Sequence, residues 1–273
     1  MSIGAQSAGL ANAASGTRGG PVIVLAYAGS GAGRLRSLLS SFPGMACSVG
    51  TGIVPLCDQA MTAWQAADGR PGGGFSALAA ASVRTFTAGL MTAILARDGG
   101  GRWCEVVSAP PAAAGAFARL YPQARFLAVH HRADTVVPAI LDASRWGLSS
   151  PEFAPFVSAH PASTVAALAS YWAARTGQQL EFEQAHPGSC QRVRIEDLTA
   201  DPAQSARDIG AFLAADTAGS PLWRGRDQDL SGPTAAEPPP PGLPLDRIPA
   251  SLLAQVNDLH RSLGYPPVAP ARE

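Results

Sequence analysis

The stretch PVIVLAYAGSGAGRLRSLLSSFPG, residues 21–44, restricts the fold of this chain more than any other part. An apolar, β-branched run passes without a polar break into Gly-Ser-Gly and then into a segment with Arg/Leu periodicity. An unbroken apolar strand is covered on both faces, the habit of parallel sheets. Glycines at the turn, followed by helical periodicity, place a helix N-terminus at the carboxyl end of that strand. There, backbone amides can cradle an anion. The nucleotide-binding pattern G-x-x-x-x-G-K-[ST] is absent, and no lysine can replace its cation, because all 20 basic residues are arginine.

Three further runs read as buried strands: WCEVV (103–107), RFLAVHH (125–131) and QRVRI (191–195), after VIVLAY (22–27). Helical patterns separate them. One long helix is stopped by Gly99–Gly101, a second ends at His186-Pro187-Gly188, a third starts at Asp201-Pro202, and a C-terminal helix halts at Gly264. Alternating strands and helices predict an α/β fold, a central and mainly four-stranded parallel sheet flanked by helices. Residues 1–20 read as a flexible N-terminal tail, 21–267 as one domain with a Pro-rich connector at 231–244, and 268–273 as a second tail. The length of 273 residues suits that organisation.

Composition removes several functions. Twenty acidic residues balance twenty basic ones, so no electrostatic binder of nucleic acid is expected. Without lysine there is no Schiff-base chemistry. Cys47, Cys57, Cys104 and Cys190 are widely spaced and read as reduced thiols in a cytoplasmic protein. No signal peptide, no apolar run of membrane-spanning length and no metal-ligand spacing are seen.

Taken together, VIVLAYAGSGAGRLRSLLSSFP, LYPQARFLAVHHRADTVVPAILDASRWGL, YWAARTGQQLEFEQAHP, VRIEDLTADPAQSARDIGAFL and IPASLLAQVNDLHRSLGYPP resemble the PAPS-dependent sulfotransferase superfamily. The chain is most similar to bacterial natural-product sulfotransferases and to tyrosylprotein sulfotransferases. The resemblance implies PAPS at the carboxyl edge of the sheet and in-line sulfuryl transfer to a hydroxyl or amine. That chemistry needs a cation and amides on the phosphosulfate, a base for the acceptor and a clamp on the 3′-phosphate.

The residues that match these parts depart from the family pattern. The first loop, P-[RK]-S-G-T-T in the family, is Ala28, Gly29, Ser30, Gly31, Ala32 and Gly33 here, with Arg34 next. The resemblance assigns Gly29, Ser30, Gly31, Ala32, Gly33 and Arg34, with Arg132, as the candidate cofactor-binding residues. The acceptor base falls on Gly50, a lysine position on Ser108, and the adenine-facing tyrosine on Ile195. The 3′-phosphate arginine and its serine fall on His131 and Ala139; a one-residue shift gives Arg132 and Ile140. A charge-assisted hydrogen bond contributes roughly 1.5–3 kcal/mol. Losing about five outweighs the roughly 8 kcal/mol that holds a micromolar ligand.

Three readings follow. In the first, the protein is a repurposed enzyme that tailors a hydrophobic natural-product intermediate by cyclisation, elimination, isomerisation or acyl transfer. His131 is its acid or base; His130, its neighbour on the strand, points to the opposite face. No cofactor is expected in that case. In the second, it is a non-catalytic binding or scaffold protein. In the third, it still uses PAPS through relocated arginines (Arg34, Arg132, Arg224 or Arg226), with Asp134, Asp142 or Glu105 as base. The partner expected is a small hydrophobic molecule, with neither nucleic acid nor membrane; the helix SALAAASVRTFTAGLMTAIL offers a surface for an oligomer.

Overall fold

The computed structural model describes residues 19–68, 77–144, 147–215 and 247–268. Arg224, Arg226, the connector 231–244 and most of both tails lie outside these residues. The chain runs β1 (Val22–Leu25), α1 (Ala32–Ser40), β2 (Met45–Val49), α2 (Ile53–Asp68), α3 (Ala77–Asp98), β3 (Arg102–Val107), α4 (Ala112–Leu120), β4 (Arg125–His130) and α5 (Ala133–Ala143). Then come α6 (Ala154–Ala159), α7 (Thr164–Ala185), β5 (Cys190–Arg194), α8 (Ile195–Ala200), α9 (Pro202–Leu213) and α10 (Ala250–Ser262).

The sheet is parallel throughout, in the order β2-β3-β1-β4-β5. It has five strands where the sequence predicts mainly four. The extra one, β2, is an edge strand made of MACSV, with Val49 exposed and no β-branched run to announce it. β1 sits at the centre, and all four of its residues are buried.

Alternation along the strands feeds two sides of the core. Val22, Val24, Leu127, Val129 and Val193 face Leu35, Leu39, Leu198 and Ile209 from α1, α8 and α9. Ile23, Leu25 and Phe126 face Ile53, Cys57, Phe117 and Leu120 from α2 and α4. On the same side, Val136 and Ile140 of α5 pack with Trp172 of α7 and Val256 of α10. The chain therefore leaves β1 toward one face through α1 and leaves β4 toward the other through α5. A crevice opens at the carboxyl edge where adjacent strands diverge in this way, and ligands of open α/β sheets bind there.

Local side chains set the helix ends. The Ser163 hydroxyl caps α7 by accepting from Ala166 N, and the Asp201 carboxylate caps α9, with Pro202 at its first position. His160 and His186 close α6 and α7. All four cysteines are free. One expectation needs revision: α3 is long and apolar enough to cross a membrane by length and composition, though core helices also pass that test, and 22% of its most apolar window is buried. Its outward side carries Leu78 and Phe86, both exposed.

Candidate active site at the carboxyl edge of the sheet

Two segments meet at the crevice, the turn after β1 and the junction between β4 and α5. Gly29 and Gly31 hold φ of 76° and 77°, the left-handed region that side chains avoid, and Gly31 is the N-cap of α1. A Cβ on Gly29 would stand 3.0 Å from Ile140 and 3.1 Å from Val136; one on Gly31 would stand 3.2 Å from Ile195. Aliphatic side chains of α5 and α8 thus lie directly on the loop. Ser30 is buried, and its hydroxyl accepts from Tyr27 N at 3.3 Å. Gly33, and with it the start of α1, faces open space.

His131 follows the last residue of β4 and is brought onto this turn. Its Nδ1 lies 3.3 Å from the Gly29 carbonyl oxygen. A carbonyl only accepts, so Nδ1 carries the proton, and in the neutral ring Nε2 presents a lone pair. Burial lowers the His131 pKa, partly opposed by the Glu196 carboxylate, whose Oε1 is 4.0 Å from Nε2. The backbone behind the ring is pinned: the His131 carbonyl accepts from Trp172 Nε1 at 2.9 Å and from the Tyr27 hydroxyl at 3.4 Å.

His130 is fully buried on the other face, with Nε2 2.6 Å from Glu183 Oε1 on α7. Burial lowers its pKa. Glu183 is also bound by Arg192, whose Nη2 lies 2.7 Å from Oε2; burial pushes this carboxyl up, and the contacts with His130 and Arg192 bring it below its ordinary value. The two histidines named from the sequence are therefore not brought together.

The arginines that flank the turn have partners. Arg34 Nη1 donates to Thr199 Oγ1 at 2.9 Å. Arg132 pairs with Asp134 through both Nε and Nη2, and its backbone N donates to Glu196 Oε1 at 3.0 Å. Glu196 takes a second bond from the Tyr265 hydroxyl at 2.7 Å, so it braces the β4–α5 junction. Glu105 is buried in β3 and accepts from Thr51 N and Oγ1 at 2.7 and 2.6 Å, holding the turn into α2; burial raises its pKa. Gly50 and Ser108 are exposed.

A second wall, which no sequence signal marks, is supplied by α7. Tyr171, Arg175 and Gln179 recur along one stripe of that helix. The Tyr171 hydroxyl accepts from Ala28 N at 3.0 Å and donates to Glu152 Oε2 at 2.7 Å. Gln179 Nε2 donates to the Leu25 carbonyl at 2.8 Å. Periodicity marks α7 as a helix, but only the packed structure shows this stripe facing the end of β1.

A parallel sheet in this order, with a glycine turn opening a helix after its central strand, defines an α/β protein built around a phosphate-loop-type crevice. More narrowly, the chain belongs to the sulfotransferase family, whose model matches residues 21–218. Among solved structures it is similar to the sulfotransferase domain from the curacin biosynthetic pathway, at 13% identity and TM-score 0.57, covering 91% of this chain and 99% of that one. It is also similar to the sulfotransferase domain of the Synechococcus PCC 7002 olefin synthase, at 15% identity and TM-score 0.54, covering 90% and 94%. The sulfotransferase from Alicyclobacillus acidocaldarius aligns at 14% identity and TM-score 0.50, covering 90% and 96%. At such identities the likeness is one of fold. No curated protein matches the sequence.

The family implies PAPS if this chain is active. Against that group the turn presents backbone amides, a serine hydroxyl already bonded to Tyr27, and three aliphatic side chains over Gly29 and Gly31. The flanking guanidiniums are bound to Thr199 and Asp134. The turn and its two flanking arginines do not fit a phosphosulfate.

Proposed function

We propose that this member of the sulfotransferase family is an enzyme that performs acid–base chemistry on a hydrophobic natural-product intermediate, without sulfuryl transfer. The observation that carries the reading is the aliphatic packing on the turn: Val136 and Ile140 lie against Gly29, the position where the family pattern has a basic residue, and Ile195 lies against Gly31. His131 is the proton carrier. Its Nδ1 is held by Gly29, and its lowered pKa keeps the imidazole neutral near pH 7, so Nε2 accepts a proton from the substrate. The imidazolium that forms is stabilised by Glu196 at 4.0 Å, and the proton can return to the product. The neighbours drawn from the curacin pathway and from an olefin synthase support a substrate of the natural-product kind.

Family membership itself favours a second reading, PAPS-dependent sulfuryl transfer with cations outside the described residues. Incubation of a panel of hydrophobic, hydroxyl-bearing compounds with and without PAPS separates the two. Turnover that ignores PAPS and disappears in His131→Ala supports the proposal. Turnover that requires PAPS and transfers sulfate to the product overturns it.

A further inference from the structure

Arg175 is 9% exposed, and among the described residues no carboxylate lies within 4.0 Å of it. Its partners are one long bond, Nη1 to Gln178 Oε1 at 3.5 Å, and the Tyr171 ring, whose centroid is 5.4 Å from the guanidinium carbon. Its Nε is buried with no hydrogen-bond partner. Buried cations are ordinarily paired, because taking an uncompensated charge out of water costs far more than one stacked ring returns. Arg34, Arg132 and Arg192 each have a clear polar partner, in Thr199, Asp134 and Glu183 respectively. Glu152, the acid nearest along the hydrogen-bond chain, is engaged by the Tyr171 hydroxyl instead.

The position of this cation is as telling as its isolation. Tyr171 and Gln179, one turn before and one turn after it on the same stripe, touch Ala28 and Leu25. Arg175 therefore lies between them on the stripe of α7 that packs on the carboxyl end of β1. Thr176, the next residue, is buried with Tyr27. A guanidinium presents a planar fork of N–H donors that suits two oxygens of one anion.

We infer that Arg175 is an oxyanion-binding residue of the crevice, and that the ligand taken there carries a carboxylate, phosphate or sulfate group whose oxygens bond the Arg175 fork. For the proposed enzyme this makes the substrate a hydrophobic molecule with one acidic group, fixed on α7 while His131 acts from the other wall. That assignment to the substrate rests on the acid–base reading; the anion site itself does not.

The test uses the full chain and three probes, acetate, inorganic phosphate and sodium sulfate, each against sodium chloride at equal ionic strength. At least one of them is expected to raise the unfolding midpoint saturably, and the identity of that probe tells carboxylate from phosphate or sulfate. Arg175→Met should lose the effect, Arg175→Lys should keep a weakened one, and ligand-free Arg175→Met should unfold at the same temperature as the parent or higher, since it removes an unpaired buried charge. An effect no larger than that of chloride for all three probes overturns the inference. So does an anion effect that survives in Arg175→Met, or a ligand-free Arg175→Met that is clearly destabilised, which would make the arginine structural. Failure here leaves the His131 reading standing. Conversely, PAPS-dependent turnover would remove that reading without touching the anion site.

Discussion

The two walls of the crevice have opposite characters. The wall built by the turn after β1 is glycine covered by Val136, Ile140 and Ile195, with its one hydroxyl, on Ser30, turned inward to Tyr27. The wall built by α7 is polar: Tyr171, Arg175 and Gln179 line one stripe, and two of the three bond the backbone of β1 and its turn. In this fold class the turn is where an anion is expected to sit. Here the turn keeps the shape of an anion cradle, and a cation that no carboxylate of the described residues meets, Arg175, stands on α7. Conserving a backbone and conserving its chemistry are separate matters, because φ values and helix starts depend on glycine and packing, whereas ligand contacts depend on side chains that the scaffold does not need.

His131 should respond most strongly to substitution. Replacing it with alanine is expected to lower turnover by about 10²–10⁴-fold, the usual contribution of a positioned acid or base. Arg132→Ala, which removes a guanidinium paired with Asp134, should fall well short of that. The reverse ranking, measured in one turnover assay, would mean that phosphate recognition persists at the turn.

A smaller effect separates the two ends of the turn itself. Gly31→Val forces a β-branched residue into positive φ against Ile195 and should lower stability by about 1–3 kcal/mol in a denaturant titration. Gly33→Ala meets open space within α1 and should be neutral or stabilising by up to about 1 kcal/mol. Equal losses at both positions would contradict the packing described for Gly31.

The smallest effect is on pH dependence. Burial lowers the pKa of His130, His131 and His260 in the folded protein. Below the ordinary histidine value of about 6.5, the unfolded chain therefore binds more protons than the folded one, and stability falls as pH falls. Glu183, held below its ordinary value by His130 and Arg192 against the effect of burial, adds a further loss once pH drops past about 4.3. Glu105, raised by burial, acts in the opposite sense. Scanning calorimetry between pH 7.5 and 5.5 should show the unfolding midpoint dropping by roughly 2–4 °C for each kcal/mol lost. A midpoint that rises on acidification would show that the histidines are not held neutral.

Much of the scaffold could be read from the sequence because its signals are local. Four apolar runs gave β1, β3, β4 and β5, and Asp201-Pro202, His186 and Gly264 mark helix ends that the structure repeats. The edge strand β2 could not be read, since Ala46, Cys47 and Ser48 have small side chains and one face of an edge is only partly covered. α4 follows Pro110-Pro111 and is nearly all alanine up to Phe117, which leaves no apolar stripe to count. At the site, strand alternation was enough to separate His130 from His131, and the structure places them on Glu183 and on Gly29 respectively. Arg175 was invisible for a different reason. A single arginine in a long helix reads as solvated, and only tertiary packing reveals that it is buried with no counter-ion among the described residues.

The measurement that bears most directly on the account is a calorimetric titration of the full chain with adenosine 3′,5′-bisphosphate, the product left when PAPS gives up its sulfuryl group. An aliphatic cover over Gly29 and Gly31 predicts no binding tighter than high micromolar. A dissociation constant in the low micromolar range would mean that the crevice still holds the nucleotide, and that sulfuryl transfer is the reaction to look for.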